Sequence, residues 1–204
     1  MKLFYVPGVC SVVPHAVLRE GGFPFQLEKV DVKNGKRTES GLDYVALNPK
    51  GYVPALQLVD GRLLTEVAIL IQYLADQRPG SGLAPANGTA ARYELQEWLH
   101  FIATELHKGQ SVFYQPAATE ELKAVFRGRL EARYALLAKQ VEGKQWLFGD
   151  TFTVADPYAF FVLRAYQKVV KADLSKTPAL AAYYSRLAAR PSIAAALQAE
   201  GLEA

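Results

Sequence analysis

Apolar and polar positions follow two different registers along this chain. Leu3 to Val6 is a short apolar run closed by Pro7-Gly8, after which Val13, Val17 and Leu18 recur at helical spacing as far as Gly21-Gly22. This predicts strand, loop and helix. Phe25, Leu27 and Val30 to Val32 give a second strand, and the polar stretch Lys33-Asn34-Gly35-Lys36-Arg37 reads as a loop. After Asn48-Pro49-Lys50-Gly51, the runs Val53 to Leu58 and Arg62 to Leu64 flank Asp60-Gly61, a hairpin signal because both turn residues tolerate positive φ. Val67, Ala68, Leu70, Ile71 and Leu74 then form a helix.

Beyond Arg78-Pro79-Gly80-Ser81-Gly82, the most linker-like stretch, strand signals vanish and helical periodicity takes over. Leu95, Trp98, Leu99, Ile102 and Leu106 make one apolar stripe. Leu122, Val125, Phe126, Leu130, Tyr134, Leu137 and Val141 make another. Both are expected to be core helices. Thr153-Val154-Ala155-Asp156 has the form of a capping box at the start of a buried helix, and Pro178 and Pro191 stand where later helices begin.

Composition narrows the class. Of the 204 residues 50% are hydrophobic and 21% charged, a balance that excludes a disordered chain. The net charge of +3 is too small for an electrostatic grip on nucleic acid or an anionic membrane. A single cysteine, Cys10, excludes an intrachain disulfide and a four-cysteine zinc site, and residue 13 is Val, so no Cys-x-x-Cys dithiol is available. No signal peptide and no apolar run of membrane-spanning length is visible, which makes the cytoplasm the expected compartment. Phosphate-binding, nucleophile-elbow and zinc-protease motifs are absent from the sequence, and the three histidines, His15, His100 and His107, show no metal-ligand spacing.

Four places could carry chemistry. Cys10 follows a strand and a Pro-Gly break at a helix start, where unpaired N–H groups and the dipole favour a thiolate; the alternative is a small buried hydrophobe. Ser11 has the alternative of being the helix N-cap. Val53-Pro54 leads from loop to strand, where a cis peptide would turn the Val53 backbone outward to pair with an extended ligand, against a trans edge-strand proline. Glu66 opens a helix, either to complement its dipole or to meet the amine of a ligand whose carboxylate the helix amides hold. On a helical wheel His100, Thr104 and His107 fall away from the Leu95 to Leu106 stripe, as a solvent face or as a cleft wall.

Together these positions resemble the cytosolic glutathione transferases, and the start, Met1 to Tyr5 with Pro7-Gly8-Val9-Cys10-Ser11, is similar to the bacterial beta class. The resemblance continues through Asn48 to Leu56, Leu64-Thr65-Glu66, Trp98-Leu99, Ala103 to Gly109, Phe152 to Asp156 and Arg190-Pro191. It implies a thioredoxin-like domain over 1–80, a linker over 81–88 and an all-helical domain over 89–204, in a homodimer with clefts between domains. By resemblance Cys10 lies at the glutathione sulfur with His107 near it, Val53 pairs with the cysteinyl backbone, Glu66 and the Val67 amide hold the γ-glutamyl end, and Lys36 approaches the glycyl carboxylate. Tyr5, Ser11, His100 and Thr104 complete the expected glutathione contacts, while Phe113 and Tyr114 are expected on the wall for the hydrophobic substrate. Two positions depart from the pattern: Val67 where many members have Ser, and His100 where the beta class often has Asn. The implied activity is conjugation of glutathione to small electrophiles without a metal, with thiol-disulfide or peroxide reduction through Cys10 as a second activity. A non-catalytic glutathione-binding protein is the alternative.

Overall fold

The computed structural model describes residues 1–32 and 35–203. Two expected loop positions, Lys33 and Asn34, lie outside the described residues. Contacts divide the chain into two units, Met1–Ser81 with Ala189–Ala204, and Gly82–Ala188.

In the first unit, β1 (Lys2–Tyr5), β2 (Gln26–Asp31), β3 (Arg37–Thr38), β4 (Ala55–Gln57) and β5 (Leu63–Thr65) form one sheet in the order β3-β2-β1-β4-β5. β1 and β2 are parallel, joined by the crossover helix α1 (Val12–Glu20), and the other pairings are antiparallel. This is the thioredoxin-like arrangement expected. Central β1 is covered on both faces, so Leu3 and Phe4 are both buried and Phe4 packs on Tyr44, Val30 and Ala55. Pro14 is tolerated in α1 because it sits in the first turn, where its missing N–H would have no helical acceptor. The hairpin between β4 and β5 is present, but its turn is wider than two residues: Leu58 N–H donates to Arg62 O, and only Gly61 takes a positive φ, of 86°. Asp60 instead accepts the Arg62 amide with its side chain. Helices α2 (Tyr44–Leu47) and α3 (Val67–Asp76) complete the part before the linker.

Helix α8 (Pro191–Ala199) belongs with this unit, although the expected division by sequence order put it in the helical domain. Two carboxylate clasps explain the difference. Glu20 at the end of α1 accepts from Arg190 and from the Ser192 hydroxyl, and Glu200 meets His15 inside α1. Burial by itself would raise the Glu20 carboxyl, but the bonds from Arg190 and Ser192 outweigh it and hold the group below its ordinary range.

The second unit contains α4 (Ala90–Phe101), α5 (Glu120–Val141), α6 (Ala155–Lys168) and α7 (Pro178–Ala188), with a π-helical turn, Ile102–His107, and a 3-10 segment, Lys108–Tyr114, after α4. Residues 155–166 of α6 are all buried, as its capping sequence implied. Asp156 accepts the Thr153 amide, while the Thr153 hydroxyl accepts from Ala155. Leu95, Leu99, Ile102 and Leu106 are buried as expected, but Trp98 is only half-buried. The second stripe is core only from Leu130 onward: Leu122 and Val125 in the first turns of α5 are exposed, and Phe126 is half-buried. Among the described residues no helix is long and apolar enough to cross a membrane.

Candidate functional site

The β1–α1 loop and the loop before β4 meet in the first unit. Cys10 Sγ lies 3.4 Å from the carbonyl oxygen of Val53, 43 residues away, and donates to it. Each partner is held by side chains that act on the backbone. Ser11 is fully buried, and its hydroxyl donates to Val6 O at 2.9 Å and accepts from Val6 N–H at 3.2 Å. It therefore ties the base of the loop; Ser11 stands at the N-cap position of α1, but its side chain makes no capping bond there. Cys10 is partly buried, two residues ahead of Val12, the first residue of α1.

On the other side, the Val53-Pro54 bond is cis. The preceding residue is pinned: Tyr44 Oη and Asn48 Nδ2 both donate to Tyr52 O, at 2.7 and 2.9 Å. Tyr44 and Asn48 are buried supports that the sequence reading missed, since Asn48 is otherwise only the first residue of a turn and Tyr44 lies in a four-residue helix. Burial pushes the Tyr44 hydroxyl up, so it stays a donor. Lys36 is at this end too, with Nζ 5.8 Å from the Tyr52 ring centre and over Gly51, whose φ of 64° and lack of a side chain admit it.

Glu66 stands at the start of α3 with a φ of 70°, a conformation that a residue with a side chain seldom adopts and that is concentrated at ligand clamps. Its carboxylate is exposed and paired with Lys50 Nζ at 2.8 Å, which also donates to Thr65 Oγ1. The Val67 side chain is buried, so only its backbone amide can serve a ligand; the first amides of a helix have no intrahelical acceptor. Tyr5, at the end of β1, is half-buried, and its hydroxyl is pushed up by burial first and then by Glu200 and Glu39.

The remaining expected residues belong to the second unit. His100 and Thr104 share an exposed face, with Thr104 Oγ1 donating to the His100 carbonyl at 3.0 Å. His107 does not share it, contrary to the wheel. The π-helical turn takes up one extra residue and so turns the following side chains by about 100° relative to an α-helix. His107 thereby packs edge-on against Phe161 and Tyr158, with Nδ1 2.9 Å from Tyr158 Oη. Burial, helped by Lys108, lowers its pKa from 6.5 to about 4. Phe113 is half-buried with the Arg127 guanidinium over its ring, and Tyr114 is exposed. No group of three or more metal-ligating side chains occurs among the described residues.

The lowered His107 pKa has a measurable sign. The ring is neutral in the folded chain above about pH 4 but protonates near 6.5 when unfolded, so stability is lost as pH falls through that window. By pH 5 the loss attributable to His107 is expected to be about 2 kcal/mol. Urea unfolding at pH 7 and 5 should show that His107→Gln removes this part of the acid sensitivity; equal pH dependence in both proteins would contradict it.

Known proteins match both parts of the chain, with α8 falling in the C-terminal match. A family model described as glutathione S-transferase, N-terminal domain, matches residues 9–77, and one described as glutathione S-transferase, C-terminal domain, matches residues 105–200. Glutathione S-transferase GstA of Escherichia coli O157:H7 is 46% identical over 203 residues, covering 100% of both chains. This chain belongs to the glutathione S-transferase family. Among solved structures, a sphingomonad glutathione S-transferase complexed with glutathione is 43% identical at a TM-score of 0.93, covering 99% of this transferase and 100% of that chain. A bacterial beta class glutathione S-transferase from Sphingomonas chungbukensis is 42% identical at a TM-score of 0.93, with the same coverage. The fold of this transferase, a thioredoxin-like sheet with helices followed by a helical unit, is that of the family.

Proposed function

We propose that this glutathione S-transferase is a cytoplasmic homodimer of the bacterial beta class that binds reduced glutathione along Val53 and transfers its sulfur to small electrophiles, detoxifying them. The observation that carries this reading is the contact of Cys10 Sγ with Val53 O. That carbonyl is the acceptor an extended peptide lying along residue 53 would use, so the sulfur of such a peptide's cysteinyl residue falls beside Cys10 and the start of α1. In the reaction the glutathione thiol gives up its proton to solvent water. The thiolate pair forms the sulfur–carbon bond, and the leaving group departs with the pair it shared with that carbon. Donors and positive potential at the loop and helix start stabilise the thiolate that this needs.

Glu66 and the Val67 amide suit the γ-glutamyl amine and carboxylate, and Lys36 suits the glycyl carboxylate. His107 takes part as a neutral ring, since it carries no proton charge above about pH 4. Pairing of two copies rests on the family resemblance and on apolar side chains left open on the second unit, Tyr93 and Leu136 among them.

Glu66→Ala removes a contact made before and during the reaction alike, so the KM for glutathione is expected to rise at least about tenfold while kcat changes less than about threefold. Steady-state kinetics with an activated aryl halide checks it. An unchanged KM would remove Glu66, and with it this placement of the γ-glutamyl end.

A further inference from the structure

A fully buried polar chain in the first unit lies outside the glutathione contacts proposed above. His15 and Glu200 both have side chains with 0% exposure, and His15 Nδ1 is 2.9 Å from Glu200 Oε1. Arg19 Nε donates to His15 Nε2 at 3.0 Å, so that nitrogen is the acceptor and Nδ1 carries the hydrogen that Glu200 receives. The second carboxylate oxygen, Oε2, accepts the backbone N–H of Gly8 at 2.9 Å, across 192 residues of sequence.

Gly8 sits at the crest of the loop that delivers Cys10, in a left-handed conformation with φ 75°. Ser11 ties the base of that loop to Val6, and Glu200 ties its crest to α8 and α1. A buried carboxylate paired in this way is poor value as stability, because well-packed apolar residues do as well; what it supplies is a single geometry. We propose that Glu200, oriented by His15 and Arg19, is a positioning residue for Cys10: by fixing the Gly8 amide it sets the loop conformation in which Cys10 Sγ reaches Val53 O. The groups facing Glu200 are His15 from α1, the Gly8 amide, and Tyr5 from β1, whose hydroxyl feels its charge; Arg19 acts on it through the far nitrogen of His15.

The effect on conjugation rests on the transferase reading, but the state of the Cys10 thiol does not, and the test uses both. In Glu200→Ala the loop is released and Cys10 loses the acceptor that holds its proton, so alkylation by iodoacetamide at pH 7.5 is expected to be about threefold faster than in the wild type. Glutathione conjugation should lose about tenfold in kcat with KM within about twofold, because the Val53 and Glu66 contacts remain. Glu200→Gln keeps one acceptor for two donors and is expected between the two proteins in both assays. Circular dichroism establishes that the variants are folded at the assay temperature. Alkylation profiles from pH 6 to 10 that superimpose on the wild type in a folded variant would overturn the proposal, whatever the melting temperature. Should neither variant fold, hydrogen exchange of the wild-type Gly8 amide decides: protection equal to the core of α1 supports the proposal, and exchange as fast as an exposed loop overturns it. A wild type that alkylates as described yet conjugates nothing would sink the transferase reading and leave Glu200 in place.

Discussion

Replacing Asp156 with alanine is expected to destabilise the second unit by about 4 kcal/mol, the largest single loss in the molecule. The carboxylate is buried and accepts the amides of Leu147 and Thr153 and the hydroxyls of Thr153 and Tyr183. Truncation leaves the Leu147 and Thr153 amides and the Tyr183 hydroxyl without that acceptor inside a packed core, and each such group costs about 1–3 kcal/mol. Burial raises the Asp156 carboxyl, against the opposing pull of its hydrogen-bond donors, so part of the loss is recovered when the charge itself is removed. Both tryptophans, Trp98 and Trp146, are in this unit, and their fluorescence during urea unfolding reads the change directly. A loss under about 1 kcal/mol would mean that the network is not worth its donors.

Thiol-disulfide exchange is the second activity that the family resemblance implies for Cys10, and Cys10→Ala is expected to hold it at the uncatalysed rate. In that reaction the Cys10 thiolate would attack the glutathione sulfur of a mixed disulfide, the departing thiolate would take the electron pair, and a second glutathione thiolate would release Cys10 as oxidised glutathione forms. The chain has no other cysteine to carry the bond. Conjugation needs only donors for the glutathione thiolate, which the backbone at the helix start retains, so at least about a tenth of its rate should survive. Parallel assays with a mixed disulfide and an aryl halide separate the two activities. Undiminished disulfide reduction in the variant would eliminate the covalent role of Cys10.

Strands β1, β2, β4 and β5 and helices α1 and α6 were legible because their signals are local: an apolar run with a Pro-Gly stop for β1, and a Thr and an Asp three residues apart for α6. Arg37, read as loop, instead opens the two-residue strand β3, whose polar sequence carries no apolar alternation and which forms by pairing with Val30 and Asp31 of β2. The loop that carries Cys10 was placed, but what holds it was not. Ser11 looks like a cap in sequence, and only the path of the chain puts its hydroxyl on Val6. The union of α8 with α1 depends on His15 and Glu200, 185 residues apart, and no periodicity links such positions. His107 was misplaced because a wheel assumes one rotation per residue throughout, and the π-helical turn at Ile102–His107 breaks that assumption without a glycine or proline to announce it. Lys50 was read only within the stretch that precedes a strand, yet its ammonium pairs with the carboxylate of Glu66.

Steady-state conjugation of glutathione with an activated aryl halide by the wild-type protein tests the proposed activity most directly. The expected result is a rate that saturates in glutathione, forms one thioether for each halide released and is inhibited competitively by S-alkyl glutathione. Calorimetric binding of glutathione with no turnover of aryl halide, epoxide, peroxide or mixed disulfide would contradict it, and would leave a binding protein that keeps the site without the chemistry.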